Sequence, residues 1–348
     1  MTATHPTTEA PLADQAKTLL QLPAGYIGYR TVALGLRSGL IEALAAAEPG
    51  GASADDLAEQ LDLDPFYVGV WCRAAFGASV CERDGATYRL APHMATLLLD
   101  VSSPAYAGGL FTVLNQPEVF DRFERTLATG ERLWWDECSP EFIREVAGTG
   151  TPFYTRLVPG GLEQIPGLAQ HLEAGCRVLD TACGSGTGLV RLAQTYPNCE
   201  ITGVDGDAHS VEMAAERLRE AGVADRVHLM VSPLEDLDLD ASYTVVINNI
   251  SMHECRDIDR VTDNIHRALK PGGWFVISDF PFPEDETGLR SVPGRIMSGI
   301  QFFEAQIDDQ LVARSFYDGL LSRHGFTDIG SFGLAPVHAV TYGRAEQR

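Results

Sequence analysis

Apolar residues recur at helical spacing over positions 26–47, and two further helices are announced by their caps. Ser53 followed three residues later by Asp56 opens one that ends near Leu61, and Asp64-Pro65 opens another that runs through Ala75. Two short runs around Asp84-Gly85, over positions 80–90, predict a β-hairpin. Residues 104–170 read as connecting helices, including Pro117–Gly130. From position 176 the pattern changes. Short apolar runs at 176–180, 200–204, 227–231, 243–248 and 273–279 alternate with helical stretches near 188–195, 208–221 and 257–269. A helix at 311–324 then precedes two more strands, near 328–334 and 337–343. Such alternation predicts a mostly parallel α/β sheet, Rossmann-like, with helices on both faces.

These elements divide the chain into a disordered tail (1–12), a mainly helical domain (13–103), a helical linker expected to contribute to a substrate pocket (104–170) and an α/β domain (171–348). Helix, helix, hairpin is the order of a winged helix, which raises the question of DNA. Charge answers it. The 348 residues carry a formal net charge of −22, and residues 1–110 hold six Lys/Arg against twelve Asp/Glu. The would-be recognition helix, Phe66–Phe76, has one arginine and is otherwise mostly apolar, so nucleic acid is excluded as a partner. Seven cysteines with no C-x-x-C pair suit a reduced compartment. The N-terminal residues lack the basic and apolar regions of a signal peptide, and no apolar run approaches the roughly 18 residues that span a bilayer. The expectation is a cytoplasmic protein with no membrane partner.

The run Cys176-Arg-Val-Leu-Asp-Thr-Ala-Cys-Gly-Ser-Gly186 places an apolar strand, a glycine turn and a helix start in succession, which suits close approach of a ligand to backbone N–H groups. Asp205 ends the next strand, 19 residues beyond Gly186, where an acid is placed to accept two ribose hydroxyls. This loop resembles motif I of the class I S-adenosylmethionine-dependent methyltransferases, with Ala182 at the usual first glycine. The phrases Leu34–Leu44, Phe123–Gly130 and Leu269-Lys-Pro-Gly-Gly273 extend the resemblance from about residue 25 to the end, to the two-domain small-molecule O-methyltransferases. That family joins a winged-helix-like dimerisation domain to the methyltransferase sheet.

The resemblance implies S-adenosylmethionine as cofactor, held by Asp180, Gly184, Ser185, Gly186, Asp205, Gly206, Leu234, Glu235 and Asn248. It implies a small-molecule acceptor, aromatic or polyketide-like, and a homodimer formed through the N-terminal domain. The stretch Asn248-Asn-Ile-Ser-Met-His253-Glu254 matches the family's general-base phrase, so His253 is the expected base. A histidine is suited to that work, since its pKa lies near neutrality and a carboxylate can orient its ring. Asp279 is the candidate partner, with Glu254 as the alternative and Glu304 as a third. Trp134, Met252, Met297, Phe302 and Phe303 are the candidate walls of the acceptor pocket. No metal ligand set is expected. The rival readings are a C-methyltransferase acting on an enolisable acid, or a family member that binds the cofactor without methylating.

Overall fold

The computed structural model describes residues 11–133 and 137–346, which fall into two units. The first holds the chain up to Asp100 together with Tyr106–Thr112, and the second holds Val101–Ala105 and Val113–Arg348.

In the first unit the helical pattern at 26–47 resolves into two helices, Leu12–Arg37 and Leu40–Ala46. They are separated at Gly39, whose φ of +76° suits glycine. Strand β1 (Ala52–Ser53) leads into the helix Ala54–Leu61, which has the expected reciprocal cap: Asp56 N–H donates to Ser53 Oγ, and Ser53 N–H donates to Asp56. Asp64 caps the helix Pro65–Gly77 by accepting from Tyr67 N–H. Strands β2 (Cys81–Asp84) and β3 (Thr87–Leu90) form the hairpin, and β1 pairs with β3 to complete a three-stranded antiparallel sheet. Ile41, Leu44, Leu57, Val68, Trp71 and Cys72 fill the core, and the Trp71 indole N–H donates to the Thr31 carbonyl.

The second unit is built on seven strands: β4 (Arg177–Asp180), β5 (Glu200–Asp205), β6 (Val227–Val231), β7 (Tyr243–Asn249), β8 (Leu269–Asp279), β9 (Phe326–Ala335) and β10 (His338–Ala345). Their order is β6-β5-β4-β7-β8-β10-β9. The first five run parallel, while β10 lies antiparallel to both β8 and β9. Successive residues of a strand enter opposite cores: Val178, Val245 and Val276 lie on one face, Leu179, Val246 and Phe275 on the other. Burial on both faces explains why these strands read as continuous apolar runs. No helix among the described residues is long and apolar enough to cross a membrane.

The strand order reverses between β4 and β7. Loops leaving their C-terminal ends diverge there, and the crevice so formed is where open α/β sheets take ligands.

Candidate active site

A cavity of about 610 Å³ occupies that crevice. Its walls come from the loops after four parallel strands: Thr181–Ser185 after β4, Asp205–Asp207 after β5, Pro233–Glu235 after β6, and Asn249–Ser251 after β7. The volume lies within the usual range for cofactor sites. Ile250, beside the cavity, has φ +49°, a left-handed conformation that a β-branched residue adopts only under constraint.

The glycine turn carries two different jobs. Gly184 (φ +48°) lines the cavity, and a Cβ placed on it would meet nothing within 4 Å, so its backbone is open to a ligand. Gly186 does not line the cavity. A Cβ there would stand 2.9 Å from Ala214, so its missing side chain lets the helices Thr187–Thr195 and Ala208–Glu220 pack closely. Asp205 does reach the cavity, and both its oxygens are held: Gly184 N–H donates to Oδ2 at 2.8 Å and Asp207 N–H to Oδ1 at 3.0 Å. Burial raises its pKa above the ordinary aspartate value, and these N–H donors oppose the rise. Ser185, Gly206, Leu234 and Glu235 also line the cavity.

Two expected cofactor residues sit behind the wall instead. Asp180 is fully buried and accepts from the Tyr154 hydroxyl at 2.8 and 3.0 Å. Asn248, also fully buried, donates to Thr181 Oγ1 and accepts from Ser251 Oγ, which ties together the loops after β4 and β7. Both residues shape the walls rather than face the ligand space. The reason is strand alternation: Asn248 points away where Asn249 lines the cavity.

Burial pushes the Asp180 carboxyl up to about 7, with the Tyr154 hydroxyl acting to lower it. Because this value exceeds that of the unfolded chain, the carboxyl's contribution to stability is complete below about pH 4 and fades as pH rises through about 7. Tyr154→Phe removes the donor that the buried carboxylate needs, so it is expected to cost about 1–3 kcal/mol and to cost more as pH rises. Denaturant unfolding at several pH values checks this. A deficit independent of pH would assign the hydroxyl no role in holding the charge.

One wall belongs to an element that the sequence left unplaced within its helical linker. The helix Pro140–Arg156 presents Ile143, Val146, Gly150, Thr151 and Tyr154 to the cavity, all on one helical face. The signal was present: Ser139 accepts from Phe142 N–H as an N-cap, and proline follows at the first helical position. Met213, Cys255 and Arg256 are further lining residues that sequence reasoning did not single out.

Beside the cavity, the loop after β7 brings His253 to the end of β8. His253 Nδ1 and Asp279 Oδ2 are 2.8 Å apart, and both side chains are buried. Asp279 is itself fixed, since the Tyr317 hydroxyl donates to Oδ2 at 2.5 Å and Phe280 N–H donates to Oδ1 at 2.8 Å. On the other side of the ring, Nε2 faces Glu304 Oε2 at 3.7 Å, too far for a hydrogen bond. Burial by itself would depress the imidazolium, but the Asp279 and Glu304 carboxylates reverse this and hold the His253 pKa well above its ordinary value. Glu254 is half-buried and lines the cavity; among the described contacts it makes no hydrogen bond to His253. Burial, then the nearby Glu304, raise the Glu254 pKa. The pairing thus falls to Asp279, and Glu304, the third candidate, stands on the opposite side of the ring.

The expected acceptor-pocket residues do not line this cavity. Met252 is fully buried in the core on one face of the sheet, and Met297 is likewise buried. Phe303 packs against Phe142, and Phe302 packs against Phe120 and Phe123. Apolar side chains on amphipathic helices find one another before they find a ligand. Trp134 lies outside the described residues.

Residues 172–311 match the family model of the methyltransferase domain. A 27-O-demethylrifamycin SV methyltransferase of Amycolatopsis mediterranei is 30% identical over 167 residues, covering 48% of this chain and 59% of that enzyme. This chain therefore spans less than two thirds of that relative. Two solved structures resemble the chain over nearly its whole length. The pyocyanin biosynthetic protein PhzM superposes with a TM-score of 0.73 at 16% identity, covering 96% of this chain and 99% of that one. Human N-acetylserotonin methyltransferase, solved with S-adenosylmethionine, gives 0.70 at 15% identity, covering 98% and 99%. Residues 172–311 therefore match the methyltransferase-domain family, on a chain that shares its fold with these two solved proteins over nearly its whole length.

Proposed function

We propose that the protein is an S-adenosylmethionine-dependent methyltransferase that methylates a hydroxyl of a small natural-product-like molecule. One observation carries the reading: the cavity at the topological switch has Asp205 and the open Gly184 backbone at one part of its wall, and Glu254, next in sequence to His253, at another. The donor set fits the cofactor. The Asp205 carboxylate accepts from the backbone N–H groups of Gly184, Asp207 and Gly206 and still has acceptor capacity for a ribose hydroxyl. Gly184 leaves room where a side chain would intrude. When bound, S-adenosylmethionine supplies an electrophilic methyl on its sulfonium.

The chain's own part is to orient the acceptor, exclude water and take one proton. His253 Nε2 receives the hydroxyl proton as the acceptor oxygen forms its bond to carbon. Asp279 holds the Nδ1–H and stabilises the resulting imidazolium, while Tyr317 keeps Asp279 in place. Ser251, Glu254 and Cys255, the sequence neighbours of His253, line the cavity, so the acceptor hydroxyl approaches Nε2 from that part of the wall. Incubation with S-adenosylmethionine and a phenolic and polyketide panel, read by mass spectrometry, tests the reading. A mass gain of one methyl that hydriodic acid removes again supports it, because that reagent cleaves methyl ethers and spares C-methyl groups. Absence of cofactor binding by calorimetry overturns it.

The partner is a second copy of the chain. Leu19, Leu20 and Ile27 on the first helix are 66%, 69% and 60% exposed, and Phe66 and Tyr67 on the helix Pro65–Gly77 are 71% and 74% exposed. That much apolar surface on one unit calls for cover. Light scattering at micromolar concentration is expected to give twice the 37.7 kDa chain mass, with an interface above about 2,000 Å². A monomer would refute the assignment.

A further inference from the structure

We propose that His253, Glu254 and Glu304 form a binding site for a divalent transition cation, zinc being the type, which competes with the proton-accepting role of His253. The site is read from the side chains and does not depend on the methyltransfer reading, although its consequence for turnover does.

Three observations meet here. One ligand atom from each of His253, Glu254 and Glu304 lies within 4.8 Å of the others. His253 Nε2 and Glu304 Oε2 are both buried and have no hydrogen-bond partner among the described residues, while they face each other at 3.7 Å. Buried polar atoms are nearly always satisfied, so two that face one another without a hydrogen bond leave room for a cation that replaces the Nε2 proton. Finally, His253 Nδ1 is already engaged by Asp279 Oδ2 at 2.8 Å, and Asp279 is held in turn by Tyr317. A carboxylate behind the far ring nitrogen fixes the tautomer and leaves Nε2 free to ligate, as metal-bound histidines require.

Size and charge agree. Four-coordinate zinc with bonds of about 2.0–2.2 Å sets its ligand atoms a little over 3 Å apart, so shifts of an ångström or so close this set around an ion. Three carboxyl groups, from Glu254, Glu304 and Asp279, surround one imidazole, an imbalance that a divalent ion offsets. The imidazole nitrogen favours a first-row transition ion over magnesium or calcium. Glu254 lines the cavity and gives the ion its way in, and leaves the remaining coordination position toward that space. Coordination uses the lone pair on which proton removal depends. Zinc and an acceptor proton therefore exclude each other.

The test uses the full chain, stripped with a chelator and kept without S-adenosylmethionine. Zinc calorimetry should show one site per chain. Cobalt should give the visible ligand-field bands of a four- or five-coordinate ion with a nitrogen ligand. Glu304→Gln should weaken zinc at least tenfold, and Asp279→Asn about 10–100-fold, with thermal unfolding measured to confirm that each variant is folded. His324 with Asp259 and Asp263 is a second cluster of a histidine and carboxylates, so His324→Ala is the control and should leave zinc affinity unchanged. In the active enzyme, zinc should inhibit and chelator should restore turnover. No binding by the wild type at submillimolar zinc overturns the proposal, as does binding lost in His324→Ala and kept in Glu304→Gln. If S-adenosylmethionine fails to bind, the methyltransfer reading falls while the zinc titration still decides this site.

Discussion

A His253→Ala variant is expected to bind S-adenosylmethionine as the wild type does and to turn over about 10²–10⁴-fold more slowly, the usual contribution of a positioned base. The split follows from geometry. His253 does not line the cavity where Asp205 and Gly184 lie, and its ring contacts are Asp279 on one side and Glu304 on the other. The loss should shrink for acceptors whose hydroxyl is already acidic, because they need less help in losing the proton. The pH profile carries a sign of its own. The two carboxylates hold the His253 pKa well above its ordinary value, so the residue is protonated, and unable to act as a base, over a wider range than a free histidine. Turnover should therefore rise with pH through a limb lying above about 6.5, the unperturbed value. Steady-state kinetics on a phenol of ordinary acidity, with cofactor affinity measured separately, check both expectations. Near-wild-type turnover in His253→Ala would leave the residue a purely structural role.

The second large effect is expected at Asp205. Asp205→Ala should weaken S-adenosylmethionine by roughly 1.5–3 kcal/mol, the scale of hydrogen bonds to a charged group. Its oxygens also hold Gly184 N–H and Asp207 N–H, so the substitution frees the glycine turn as well as removing the ribose acceptor. Asp205→Asn separates the two roles. The amide keeps one acceptor but turns an N–H₂ toward one of the two backbone donors, so it should lose affinity while keeping most of the fold. Calorimetry reports affinity, and thermal unfolding of the ligand-free protein reports the turn. Unchanged affinity in a folded Asp205→Ala protein would make Asp205 a staple of the turn and nothing more.

What could be read from the residues alone was what local chemistry dictates. Caps at Ser53 and Asp64, the Asp84-Gly85 hairpin and the strand–helix alternation after 176 all depend on neighbours in sequence, and each element formed within a few residues of its expected place. The same holds for Asp205 and Gly184, since a turn between a strand and a helix confines its own backbone. The exceptions mark where sequence stops. Alternation along β7 turns Asn248 inward and Asn249 to the cavity, and a shift of one residue exchanges them. Gly186 spares a helix contact with Ala214, 28 positions away in the chain, and Tyr154 finds Asp180 across 26 positions. Met252, Met297 and Phe303 went to cores that no single helix reveals. Between Asp279 and Glu254 as the partner of His253, sequence spacing had no means to choose. The choice was made by pairing β7 beside β8, which sets the end of one strand against the loop of the other, and by the helix Val292–Glu304, which brings Glu304 to the far side of the ring. Contacts across a sheet depend on register and packing, and these exist only once the whole core has closed.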